Sequence, residues 1–164
     1  MRNYTASRGW RNNKPLNIRR SGEDWQGQVS RENRTDLVFC QFLNKTWGYR
    51  AAAKLLKSYA RHFAQRGRPW AVDNVVQRWA PPCENDTTAY VARVLQLMGR
   101  TRADDVRLAP LWTKPGQRQA AMMLAAMTCV ETGCPPYEVP VQHLNAGFRL
   151  AGLGDPKLDG NWWK

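Results

Sequence analysis

The sequence predicts a mainly α single domain with at most a small sheet. Three observations predict it: apolar residues recur at helical spacing over most of residues 48–148, Gly and Pro punctuate that stretch at intervals of a helix length, and only residues 36–43 read as a strand. The chain has 164 residues, 43% of them hydrophobic, which suits one buried core and argues against wholesale disorder. A two-domain enzyme or a large cofactor-binding α/β fold is not expected at this length.

Residues 1–35 are rich in Arg, Asn, Gly and Ser without a sustained apolar period. They read as a basic, irregular segment pinned by Ile18 and the tryptophans. The run Asp36-Leu37-Val38-Phe39-Cys40-Gln41-Phe42-Leu43 is the candidate strand. A helix is predicted over 48–66, with Ala52, Leu55, Leu56, Tyr59 and Phe63 as its apolar stripe and Gly67 and Pro69 closing it. Val72, Val75, Val76 and Trp79 share one face of a short helix that Pro81-Pro82 stops. Asp86 stands at an N-cap position, ahead of a helix burying Tyr90, Val91, Val94, Leu95 and Met98 and ending at Gly99. Residues 100–115 are looser. The most apolar helix covers 117–131, with Ala120, Met123, Leu124, Met127 and Val130, and ends at Gly133 and Pro135-Pro136. A last helix begins near Pro140, buries Val141, Leu144 and Phe148, and gives way to a tail over 152–164.

The net charge is +12, and it is unevenly spread. Residues 1–82 hold 16 Lys and Arg against 5 Asp and Glu, whereas residues 83–164 hold 9 against 8, so the first half is the part built to meet an anion. Within it, Arg50, Lys54, Lys57 and Arg61 fall on one side of the 48–66 helix. Four cations with no acid among them repel each other, and DNA or an anionic envelope polymer would offset that cost. A solvated helix face is the alternative explanation.

No run of 18 apolar residues exists, so no membrane span is expected. The start is basic with no apolar stretch behind it, which predicts no cleaved secretory signal. Cys40, Cys83, Cys129 and Cys134 form no CxxC pair, and His62 and His143 stand apart from them. Neither a metal site nor a cofactor is expected, and the thiols read as reduced and buried. The eight tryptophans serve packing, with one or two available to line a groove for a flat ligand face.

Glu131 continues the stripe of Ala120, Leu124 and Met127, which puts a carboxyl on the buried face in the last turn of an apolar helix. Desolvation and the negative end of the helix both disfavour the anion there. An acid kept protonated near neutral pH is what glycosidic cleavage needs. A carboxylate turned to solvent or paired with an Arg is the competing explanation. Asp86 is accounted for as an N-cap, and Glu23-Asp24 as turn residues. Glu84 is the best alternative acid.

The segments from Arg11 to Arg19, Trp25-Gln26-Gly27, Gly48-Tyr49-Arg50-Ala51-Ala52 and Trp79 to Thr87 resemble a family of small phage and prophage proteins commonly labelled virion structural proteins. Their usual opening is of the form RNNNPGNIR. The likeness runs to the Glu131-Thr132-Gly133 and Pro136-Tyr137 pairings, where that family tends to read HENG followed by PY. Lys14-Pro15-Leu16 departs from its Pro-Gly turn.

In a different order, the same blocks are similar to the lytic transglycosylase and goose-type lysozyme group. Val130-Glu131-Thr132-Gly133 would be its catalytic helix end, followed in that group by the counterpart of the Gly48 helix and then of Trp79 to Val91. The resemblance implies a circularly permuted lysozyme-like domain that cleaves the glycan strand of peptidoglycan. Glu131 would be general acid and then base, with Trp79, Tyr90 and Tyr137 lining the sugar groove. No second carboxylate stands out in the sequence, which points to a transglycosylase-type route. The rival expectation is a non-catalytic virion or ejection protein that binds DNA or other virion structural proteins through Arg50, Lys54, Lys57 and Arg61. Either would be made in the host cytoplasm and reside in the virion, the enzyme acting at the cell envelope.

Overall fold

The structure, a computed structural model, describes residues 3–101 and 106–164. Of the looser stretch 100–115, residues 102–105 lie outside the described residues. The described chain is mainly helical: α1 (Arg8–Arg11), α2 (Lys45–Gln65), α3 (Val72–Trp79), α4 (Thr87–Leu97), α5 (Lys114–Thr132) and α6 (Val141–Leu150). No helix among the described residues is long and apolar enough to cross a membrane.

α5 is the axis of the fold. Its residues from Ala120 to Cys129 are buried except Met122, so it is apolar nearly all round, as a helix surrounded by others must be. α4, α6 and α1 pack on it. Thr113 caps it by accepting from the Gly116 N–H at 3.1 Å, and Pro115 sits in its first turn, so the helix starts three residues before the apolar period does. Gly133 ends it with φ 78, where a side chain would be strained. α2 likewise starts early, at Lys45, because Asn44 accepts from the Trp47 N–H. α2 and α6 form the most extensive helix pair. Gly147 makes their approach possible, since a Cβ there would come within 2.8 Å of Tyr49 and Arg50. α2 is tied to α5 as well, where the Tyr49 and Thr128 hydroxyls hydrogen-bond at 2.9 Å, fully buried.

Residues 36–43 do not form the expected strand; only isolated antiparallel bridges, Arg19 to Phe39 and Gln28 to Phe42, touch this segment. The cause is Asp36. Its carboxylate accepts from the N–H groups of Val38 and Phe39 at 3.0 and 2.8 Å, closing a tight turn that leaves Leu37 and Val38 exposed. Arg8 and Asn12 donate to the same carboxylate. Burial pushes the Asp36 carboxyl up, but Arg8, the two backbone N–H groups and Asn12 outweigh it and hold it well below the usual range. Around this knot the first 35 residues are ordered without a sheet: Cys40 donates to Ile18 O, Arg20 to Val38 O and Phe42 to Asn12 O, while Leu16 and Ile18 enter the core.

Cys40, Cys129 and Cys134 are buried free thiols, whereas Cys83 is exposed on the turn after α3, contrary to the expectation that all four are buried. The double proline that ends α3 throws this turn outward. The tail over 152–164 is anchored by Leu158, bracketed by the side-chain amide of Asn145, and by Trp162, whose indole N–H donates to Pro136 O at 3.2 Å.

Two outcomes follow for the folded protein. Asp36→Ala leaves several donors without an acceptor and should lower stability by about 1–3 kcal/mol. Because the folded carboxyl titrates below the unfolded value of about 3.9, the wild type's advantage should be complete above that pH and shrink as pH falls through it, read by thermal melts of both proteins. Under native conditions Ellman's reagent should modify Cys83 fast and the others slowly, since burial also pushes Cys129 and Cys134 up to about 12.

Candidate functional site

Glu131 sits in the last turn of α5, mostly buried, at the floor of an open cleft of about 830 Å³. Three separate stretches of chain send it a donor. The Asn17 backbone N–H reaches one carboxyl oxygen at 3.0 Å, and the Trp79 indole N–H and the Tyr90 hydroxyl both reach the other at 3.1 Å. Each donor is placed by a local signal: Trp79 by the proline stop at the end of α3, Tyr90 by the Asp86 cap that starts α4, and Asn17 by the burial of its neighbours Leu16 and Ile18.

Burial raises the Glu131 carboxyl above its ordinary value, and the bonds from Asn17, Tyr90 and Trp79 only partly oppose that. Tyr90 is itself pushed well above its usual value, by burial and then by the charge it faces. Both protons therefore stay on longer than they would in water. Two of the three donors have no acceptor capacity, so a proton on Glu131 can be directed only at the Tyr90 oxygen or at an atom occupying the cleft. Asn17 Oδ1 is buried without a hydrogen-bond partner among the described residues, on the side facing Gly9.

Aromatic rings shape the walls. Tyr59 of α2 meets Trp79 edge-on at 6.1 Å, and the Arg78 guanidinium lies 4.9 Å above the Tyr59 ring. Trp25 and Phe39 also line the cleft. Glu84 lines it too, ion-paired to Arg19 at 2.6 Å on the exposed side. The cleft thus holds a buried acid of raised proton affinity and a second carboxylate engaged by an arginine.

Of the sequence-predicted site residues, Glu131, Trp79 and Tyr90 are brought together. Tyr137 is placed on the short turn Pro136–Glu138, 60% exposed, and is not part of the cleft lining. Arg50, Lys54, Lys57 and Arg61 do share one side of α2, but that side borders α6: Arg50 adjoins Gly147, and Lys57 donates to Ala151 O at 3.2 Å. Only Arg61 of the four is exposed. Among the described residues no group of His, Cys, Asp and Glu is arranged to hold a metal ion.

Sequence reasoning passed over Asn17, Tyr59, Arg19 and, most of all, Lys14. The Lys14 side chain is fully buried beneath the cleft, its Nζ 3.9 Å from the centre of the Phe39 ring and 3.5 Å from Ile18 O, with no carboxylate in contact. Its position in the Arg11 to Arg19 motif was the only signal. Burial lowers it to about 8, against the pull of Asp36, Cys40 and Glu131.

Compared with known proteins, the chain is 32% identical over 152 residues to Protein P5 of Pseudoalteromonas phage PM2, a match that covers 91% of this chain and 84% of that protein. The chain belongs to the family of that phage protein. No family profile matches it.

Lys14 supplies a test of how the floor of the cleft is built. Burying its charge costs the folded state most below pH about 8 and nothing once the unfolded chain also loses the proton, near 10.5. Relative to Lys14→Met, the wild type should therefore gain stability as pH rises through that window, with the difference in melting temperature as the readout. A difference that stays constant with pH would mean that Lys14 reaches solvent.

Proposed function

We propose that the chain is a virion-associated phage protein that cleaves the glycan strand of peptidoglycan, on a circularly permuted lysozyme-like domain, with Glu131 as general acid and then base. The observation that carries this reading is the buried carboxyl of raised proton affinity at the floor of a cleft walled by indole and phenol rings. Aromatic faces suit the apolar faces of sugar rings, and the bound glycosidic oxygen would be the missing acceptor for the Glu131 proton. As the bond from the anomeric carbon to that oxygen breaks, the proton passes from Glu131 to the leaving sugar. The carboxylate left behind is stabilised by the Asn17, Trp79 and Tyr90 donors, which are already in place. It then takes the proton of the hydroxyl that closes on the anomeric carbon.

That closing hydroxyl would belong to the substrate itself. Glu84, the other carboxylate of the cleft, is engaged by Arg19 and is less free to act as nucleophile or to activate water, which favours the transglycosylase-type route over a two-carboxylate hydrolase. Peptidoglycan would be the substrate and other virion proteins the assembly partners, with synthesis in the host cytoplasm and action at its envelope.

A second reading rests on the same three hydrogen bonds. A carboxylate that ties the N-terminal segment, α3 and α4 to α5 also serves as a structural clamp, and a non-catalytic virion or ejection protein would use it so. Glu131→Gln separates the two. The amide keeps the shape but cannot donate an acid proton, and its NH₂ would meet one of the donors, at a cost of about 1–3 kcal/mol. In peptidoglycan zymography and turbidity assays, with folding checked by circular dichroism, the enzyme reading expects a loss of about 10²- to 10⁴-fold in rate for Glu131→Gln. Glu84→Gln should remain active. Glu131→Gln with near wild-type specific activity and a lowered melting temperature would establish the clamp alone.

A further inference from the structure

A second cleft, of about 480 Å³, opens on the other side of α2 and shares no lining residue with the Glu131 cleft. At 100° per residue, Lys57, Arg61 and Ala64, which line it, project roughly opposite to Leu55 and Tyr59, which line the first. Its far wall is Trp112. That indole is 77% exposed, yet it is held on a well-built turn: Leu111 before it is buried, and Thr113 after it bonds Pro110 O through both its N–H and its hydroxyl. An exposed tryptophan on a fixed stretch of backbone presents a flat apolar face with only its own side-chain rotamers left to order. Gln117 contributes the polar group between the two walls.

The charge in this cleft is of one sign. Lys57 and Arg61 take part in no ion pair among the described residues, and no carboxylate lines the cleft. Sugar sites draw their specificity from several amides and carboxylates that bracket hydroxyls; here there is one amide and no acid. Two cations facing an open indole suit instead a ligand with a phosphate on one side and an unstacked planar ring on the other. Duplex DNA offers the phosphates but keeps its bases stacked away from such a ring. We infer that Lys57, Arg61, Gln117 and Trp112 form a binding site for single-stranded nucleic acid, with a base stacked on Trp112 and the adjoining phosphate between Lys57 and Arg61.

The test uses the full chain and a fluorescein-labelled twelve-nucleotide oligothymidine, with binding read by anisotropy across a salt series. Trp112→Ala should weaken binding by about fivefold or more, and Trp112→Phe, which keeps a ring, should restore most of it. Arg61→Gln, at an exposed position, should flatten the slope of log affinity against log salt by about 0.7. The unlabelled single strand should displace the probe, and a duplex of the same length should do so poorly. Any of three results would overturn the inference: Trp112→Ala binding as the wild type does, the duplex competing as well as the single strand, or soluble muropeptides displacing the oligonucleotide. Even if Trp112→Ala folds poorly, an unchanged salt slope in Arg61→Gln, at an exposed position, would likewise overturn the inference.

Discussion

Three donors from stretches of chain far apart in sequence converge on one buried carboxyl, and most of the architecture around the cleft exists to make that meeting possible. Asn17 comes from a segment with no regular structure, Trp79 from the end of α3 and Tyr90 from the second turn of α4. α5 must be apolar on nearly every side to be their common support, and so the acid at its end is desolvated. The same burial that holds α5 in the core raises the proton affinity of Glu131. Stability and chemistry are here two consequences of one placement.

The N-terminal segment carries the greatest structural burden with the least secondary structure. It delivers Asn17 because Asp36 gathers Arg8, Asn12 and two backbone N–H groups into one knot, and because Lys14 lies buried under Phe39. A buried lysine without a carboxylate in contact is costly, and the negative fields of Asp36 and Glu131 offset part of that cost. The two charged features thus flank the cleft floor from below, while the Arg19 to Glu84 pair closes its rim.

How much of this could be read from sequence depended on whether the signal was periodic or local. α2 to α6 were legible because each buries a stripe at helical spacing, and Glu131 was legible because it interrupts the most apolar of those stripes with a carboxyl. Helix starts came out late, since Asn44 and Thr113 begin their helices a turn before any apolar residue marks them. Residues 36–43 read as a strand because a short apolar run fits a strand as well as a turn, and nothing in the run shows that Asp36 will capture the next N–H groups. Cys83 shows the same limit, a small apolar residue carried outward by the prolines beside it. That Asn17 and Tyr59 line one cleft, with Lys14 buried beneath it, is a tertiary fact that no periodic pattern announces.

The side-chain carboxyl ¹³C shift of Glu131, followed through a pH titration and assigned with Glu131→Gln, measures directly whether the fold keeps the proton on Glu131 beyond its ordinary range. The midpoint should lie above 4.5, the usual value for glutamate, with Tyr90 and Trp79 resonances moving in the same transition. A midpoint at or below 4.5 would show that the three donors outweigh burial, making Glu131 a fixed anion and a clamp rather than an acid.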